Sequence, residues 1–283
     1  MRLLLASLAL MSAGADAQTA RDSFAQRALA RALDDRCALF SGSERMALDG
    51  AYLQVRGDLL REGYTPHEID HSYDRVTRNA GNRPCDDEGV SALAADIRSA
   101  FAAWQLERAQ TFTGAPSPWQ ASRPYAYDSW LITSIVSSTP PVQAGLYQLD
   151  GDAALTVATP ANADIASLAL IMRDPAEMPG LHDSTLGGLL SPEGLPGWTN
   201  FVPPPDAVAR HLPASRHRSG EAELFRFTDQ TLEALTALDP REAIRIEAFS
   251  ALGEPVFEAY LGVGDFAAAL AFIRSSRDLS AGR

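Results

Sequence analysis

The stretch from Trp130 to Met172, WLITSIVSSTPPVQAGLYQLDGDAALTVATPANADIASLALIM, decides the fold. It contains four short apolar runs separated by turn residues: Trp130 to Val136, Gly145 to Leu149, Ala154 to Thr159 and Ile165 to Met172. Runs of this length and composition are typical of β-strands. Asp150-Gly151 separates the second run from the third and favours a tight hairpin. These residues therefore predict a mainly antiparallel sheet.

The pattern after this stretch extends the β-rich region to the C-terminus. Glu223 to Phe227 predicts a strand, Thr228 is a suitable cap for a helix through Leu238, and Ala243 to Phe249 with Val256 to Leu261 suits a hairpin. Asp265 to Arg274 predicts a closing helix. We therefore predict a β-rich domain over residues 128–283 with a C-terminal helix. A long insertion near residues 174–222 is rich in Pro and Gly and is either a functional lid or a mobile loop.

The region before this stretch has a helical pattern. Apolar residues recur at helical spacing between residues 18 and 110, for example Leu93, Ile97, Phe101 and Trp104, for which we expect core packing. Residues 111–127 then bring one Gly and three Pro in quick succession, which favours an extended linker. The predicted fold class is α+β, with a helical domain over residues 18–110, a linker over 111–127 and the β-rich domain.

The N-terminus resembles a secretory signal peptide. Arg2 is followed by the apolar run from Leu3 to Met11, and Ala15-Asp16-Ala17 offers a small-residue cleavage site. The apolar run is shorter than the ~20 residues that span a bilayer. We therefore predict a signal peptide over residues 1–17, a mature chain that begins near Gln18 without a transmembrane segment, and localisation in the periplasm.

The chain has two cysteines, Cys37 and Cys85. In an oxidising compartment, such a pair favours a structural disulfide over a metal site or a reactive thiol. The bond would connect the end of the first predicted helix with the start of the last helix of the helical domain. We therefore predict a disulfide-stapled helical domain.

The charge and motif content exclude several functions. The formal net charge is −12, and every basic residue apart from His is Arg, without a basic cluster that suits a phosphate backbone. We therefore expect no binding to nucleic acid. The sequence also has neither a phosphate-binding Gly-rich loop nor a dinucleotide fingerprint, so we expect no cofactor.

The most prominent chemical motif is His67-Glu68-Ile69-Asp70-His71, which matches the H-E-x-x-H pattern of zinc hydrolases. On a helix, His67 and His71 would share one face and could hold zinc, with Glu68 as the general base. The same residues also follow Thr65-Pro66, which predicts a helix start with a capping box between Thr65 and Glu68. We prefer the capping interpretation, and the zinc site remains the alternative.

The second half carries short motifs of a known family. They are Asp128-Ser-Trp-Leu-Ile132 in the first strand, Gly253-Glu-Pro-Val256 in the last hairpin, and Gly264-Asp-Phe-Ala-Ala-Ala-Leu270 in the closing helix. On these residues the chain resembles the invasion-associated locus B family of alphaproteobacterial periplasmic proteins over residues 128–274. The whole chain also resembles uncharacterised periplasmic proteins of that bacterial group. The resemblance implies a similar β-rich fold and a periplasmic location, and it transfers no catalytic residue. The cysteine pairs usual in the family are absent from this region.

Together these features predict a non-enzymatic periplasmic protein that binds another component of the envelope. We expect this partner to be an envelope protein. The alternative is a zinc-dependent hydrolase that uses His67, Glu68 and His71. A third zinc ligand close to the two histidines would favour the hydrolase.

Overall fold

The computed structural model describes residues 13–123, 128–180 and 201–275. Within these ranges the first half is helical and the second half is mainly β, which confirms the predicted α+β class. The helices are α1 (Ala13–Cys37), α2 (Gly42–Arg61), α3 (Pro66–Gly81), α4 (Glu88–Trp104), α5 (Asp229–Ala237) and α6 (Phe266–Arg274). The strands are β1 (Ala109–Phe112), β2 (Trp119–Ser122), β3 (Ser129–Ser138), β4 (Pro141–Leu149), β5 (Asp152–Pro160), β6 (Ser167–Arg173), β7 (Val208–His211), β8 (Ser215–Ser219), β9 (Ala222–Arg226), β10 (Ala243–Phe249) and β11 (Pro255–Gly262).

A disulfide between Cys37 and Cys85 joins the end of α1 to the segment before α4, as predicted. The bond closes a loop between residues 48 positions apart, which contains all of α2 and α3. Small apolar clusters, such as the one around Phe24, Leu59 and Ile69, hold these helices together. None of the helices in the described ranges is long and apolar enough to cross a membrane. Residues 1–12 of the predicted signal peptide lie outside the described residues.

The described strands form two antiparallel sheets. One has the strand order β1-β2-β3-β4-β5-β9-β8, and the other has the order β11-β10-β6-β7. A single large core of buried apolar residues draws on both sheets and on α5 and α6, and it includes Ile132, Leu170 and Phe272. Asp150 and Gly151 both have positive φ and connect β4 to β5 in the predicted hairpin.

The predicted linker over residues 111–127 differs from the structure. Part of it belongs to β1, and all of β2 lies within it. Trp119 in β2 is fully buried and its indole N–H donates to Val263 O at 2.9 Å. Gly114, Pro116 and Pro118, which suggested a linker, occupy the β1–β2 connection, and Pro124 lies outside the described residues. Strands of four residues are too short to show a clear alternation in the sequence.

The predicted insertion near residues 174–222 also contains regular structure. β7 pairs with β6, and β8 pairs with β9 at the edge of the larger sheet. Residues 181–200 of the insertion lie outside the described residues. Arg173, the last residue of β6, forms a buried ion pair with Glu242. It also donates a hydrogen bond to Met178 O, which holds the first turn of the insertion in place.

Helix α6 joins the helical half to the sheets. It contacts α2 on one side and β1 and β2 on the other. At Gly50 the two helices come so close that an added Cβ would lie 2.8 Å from the Ala271 Cβ. Beside this contact, Arg61 Nη1 donates to Asp265 Oδ1 at 2.9 Å. Burial raises the pKa of Asp265, and the attraction of Arg61 opposes this effect.

Candidate functional site

The H-E-x-x-H motif lies in the first turns of α3, where Thr65 is the N-cap and Pro66 the first helical residue. Glu68 accepts hydrogen bonds from the Thr65 backbone N–H and hydroxyl, both at 2.9 Å, while its own N–H donates to Thr65 Oγ1. This is the predicted capping box. The bond from the Thr65 N–H, followed by that from its hydroxyl, holds the pKa of Glu68 below its ordinary value. A general base for neutral pH would need the opposite shift.

His67 and His71 are exposed, one turn apart on α3. Across residues 13–123, 128–180 and 201–275, no three His, Cys, Asp or Glu side chains come together as a possible metal site. A catalytic zinc takes three protein ligands, and the motif supplies two. The described residues therefore offer a cap at this position and no complete ligand set.

A different feature has the properties of a binding site. An open cavity of about 570 Å³ runs between residues 44–54 of α2 and residues 93–104 of α4, and we call it the α2/α4 groove. Phe112 of β1 and Ala268 of α6 close its floor, and Arg27 of α1 borders it. Its volume lies within the ~300–1,000 Å³ typical of small-molecule sites, which are often found where two domains meet.

The wall on the α4 side is the apolar stripe noted in the sequence. Leu93, Ile97, Phe101 and Trp104 all line the groove and are only partly buried. Leu93, Ile97 and Trp104 pack against buried apolar clusters, as expected for core residues, and they also line the groove. Periodicity alone does not distinguish the wall of a cavity from a filled core.

Neighbouring side chains hold the Trp104 ring in place. Its indole N–H donates to Gln110 Oε1 at 2.9 Å, and its ring meets Phe272 edge to face with centroids 5.1 Å apart. The guanidinium of Arg123 lies 4.6 Å from the Trp104 ring and 3.8 Å from that of Phe272. The groove therefore has a preorganised aromatic wall, which lowers the entropic cost of binding.

Charged groups of the groove are placed at its margins. Glu44 accepts from the Ser41 backbone N–H at 2.8 Å and lies 3.8 Å from Arg98, while Asp96 and Glu107 are exposed. The described lining contains no Ser, Cys, Thr, Lys, Tyr or His, and its acidic residues are Glu44, Asp96 and Glu107. The apolar wall between these charged margins suits the binding of an apolar group.

Comparisons of the chain with protein-family models, with curated proteins and with solved structures find no match. They therefore assign no ligand, reaction or partner to the α2/α4 groove. The chemistry of a ligand has to be inferred from the residues that surround it.

Proposed function

We propose that this protein is a non-enzymatic periplasmic binding protein and that the α2/α4 groove holds an apolar part of another envelope component. The observation that carries the proposal is the partly open apolar wall of Phe101 and Trp104 in a cavity of about 570 Å³. Covering this wall would remove aromatic surface from water, which is favourable by roughly 25 cal/mol for each Å².

The location in the periplasm is part of this proposal. The predicted signal peptide and the resemblance of residues 128–274 to the invasion-associated locus B family support it. The Cys37–Cys85 disulfide is compatible with an oxidising compartment. The competing hypothesis is the zinc-dependent hydrolase, for which the capping bonds of Glu68 provide no support.

Binding can be tested with the neutral apolar fluorophore N-phenyl-1-naphthylamine. We expect the full mature chain to bind one fluorophore with increased emission. Ala100→Trp should abolish binding, because Ala100 lines the groove and a larger side chain would fill it. Ala102→Trp is the matched control, because Ala102 is exposed on the same helix and does not line the groove.

The natural component can be sought in the same protein. Protein isolated from its native cells should carry a small apolar compound that solvent extraction and mass spectrometry detect. Its amount should fall in Ala100→Trp and be unchanged in Ala102→Trp. Absence of fluorophore binding by the wild type, or equal loss in both variants, would contradict the proposal.

A further inference from the structure

Arg27 is the only positively charged side chain along the described lining of the α2/α4 groove. Its side chain is half-buried between α1 and α2, and Nη1 donates to Ala51 O at 3.1 Å. A guanidinium has five N–H donors in a planar fork. The side chain is only partly buried, so part of it is exposed to solvent.

Three other buried or partly buried arginines of the described chain have more partners than Arg27, whereas Arg226 likewise donates to one carbonyl, Asp152 O. Arg61 bonds to both Asp58 and Asp265, and Arg173 bonds to Glu242. Arg123 has no ion pair but donates to four backbone carbonyls, those of residues 104, 105, 107 and 272. Arg27 has one carbonyl and no described carboxylate within ion-pairing distance.

Asp58 is the carboxylate whose charge acts most on Arg27, and it is already bound to Arg61 at 2.7 Å. Burial is the larger effect on Arg27 and lowers its pKa, which means that its charge is incompletely compensated. A partly desolvated cation gains more from an added anion than an exposed cation does, because the local dielectric constant is lower.

The acidic groups of the groove do not neutralise the charge of Arg27, which can still attract an anion. Glu44 is engaged by Ser41 and Arg98, whereas Asp96 and Glu107 are exposed, where water and salt screen their charge. Arg27, Phe101 and Trp104 line the same groove, so one molecule could contact all three.

We infer that the ligand of the α2/α4 groove is an amphiphile with a single aliphatic chain and a carboxylate, and that Arg27 binds this carboxylate while the chain lies along Phe101 and Trp104. The inference rests on the proposed function and adds to it the chemical class of the ligand. A planar guanidinium can engage both oxygens of a carboxylate, which a neutral head group of similar size cannot match.

The test compares dodecanoate with dodecanol as competitors of N-phenyl-1-naphthylamine, both below the concentration at which they aggregate. We expect the wild type to prefer dodecanoate by about tenfold, which corresponds to about 1.4 kcal/mol. Arg27→Gln should bind both equally, and Arg27→Lys should retain part of the preference. Unchanged fluorophore affinity in Arg27→Gln would show that the groove is intact.

Arg56→Gln is the matched control, because it removes the same charge from the neighbouring helix α2 at a position outside the groove lining. It should keep the tenfold preference. If neither competitor nor the fluorophore binds the wild type, the proposed function itself is wrong. If both competitors bind with equal affinity, or if Arg56→Gln loses the preference as Arg27→Gln does, the proposed function stands and the role of Arg27 is refuted.

Discussion

Individual polar residues fix the ends of helices in this protein. Asp34 near the end of α1 is buried, yet its carboxylate accepts from the Phe40 N–H at 2.9 Å and from Arg45 Nε at 2.5 Å. Burial alone would raise the pKa of Asp34, but these bonds together outweigh it and leave the pKa below its ordinary value. The ionised form therefore stabilises the turn between α1 and α2.

Asp34→Asn should lower the free energy of unfolding by about 2 kcal/mol at neutral pH, because bonds to a charged acceptor are lost. The pKa of Asp34 is depressed in the folded state, so its contribution is present above the unfolded value of about 3.9 and disappears as the pH falls through the folded value. Urea unfolding at neutral and acidic pH measures the difference. Exposed Asp35→Asn is the control, and a pH-independent difference between wild type and Asp34→Asn would contradict the explanation.

Gly264 is a second residue with a defined task, because it lets the chain pass close to the β1–β2 connection before α6. Its φ is +51°, and a Cβ there would lie 2.1 Å from Thr113 O. Gly220 in the β8–β9 turn has a similar φ of +59°, but nothing lies within 4 Å of its Cβ position.

Gly264→Ala should therefore cost about 3 kcal/mol of unfolding free energy, whereas Gly220→Ala should cost about 1 kcal/mol. The second variant carries only the cost of the left-handed backbone, while the first adds a clash with backbone atoms. Chemical denaturation of both variants gives the comparison. Equal losses would mean that the close approach to Thr113 is not rigid.

At the scale of elements, local patterns predict much of the structure. The box of Thr65 and Glu68, the cap at Thr228 and the Asp150-Gly151 turn were predictable, because each depends on residues that are adjacent in the sequence. β1 and β2 were not predictable in the same way, because they are short and are stabilised by distant contacts such as that of Trp119 with Val263.

The element α3 carries a prediction about metal. Purified protein should contain no stoichiometric zinc by elemental analysis, since Glu68 is held by Thr65 and the described residues supply no third ligand. Glu68→Ala should lower the melting temperature through loss of the capping box, whereas Glu68→Gln should largely retain the box. Near-stoichiometric zinc that is lost in His71→Ala would favour the hydrolase instead.

At the scale of the whole molecule, the two halves share an interface that the sequence did not reveal. The α2/α4 groove combines residues of α4 with Ala268 of α6, and periodicity reports only which residues are apolar, not which distant surfaces meet. For this reason the helical stripe was predictable, while the cavity beside it was not. The division into a helical part and a β-rich part could be predicted from the sequence. The direct hydrogen bond between Arg61 and Asp265, which joins the two parts, could not.

This interface predicts that both halves unfold together. Far-UV circular dichroism, dominated by the helices, and tryptophan fluorescence, to which buried Trp119 contributes, should show coincident urea transitions. Arg61→Gln should lower both midpoints together, and Arg56→Gln, on the same helix, should leave both nearly unchanged. Loss of the helical signal before the fluorescence change would mean that the halves are independent.

The bond between Arg61 and Asp265 joins residues 204 positions apart, and this separation has a consequence for biosynthesis. At ~5–20 residues per second, a ribosome needs on the order of 10–40 s to add the intervening chain. During that time α2 exists without α6, and the surface around Gly50 lacks the helix that covers it. Because the core cannot be completed until α6 has been synthesised, the nascent chain would stay loosely folded. In the periplasmic location proposed above, a loosely folded chain is suited to passage through a translocation pore. The groove would take its final shape only after the C-terminal helix has arrived.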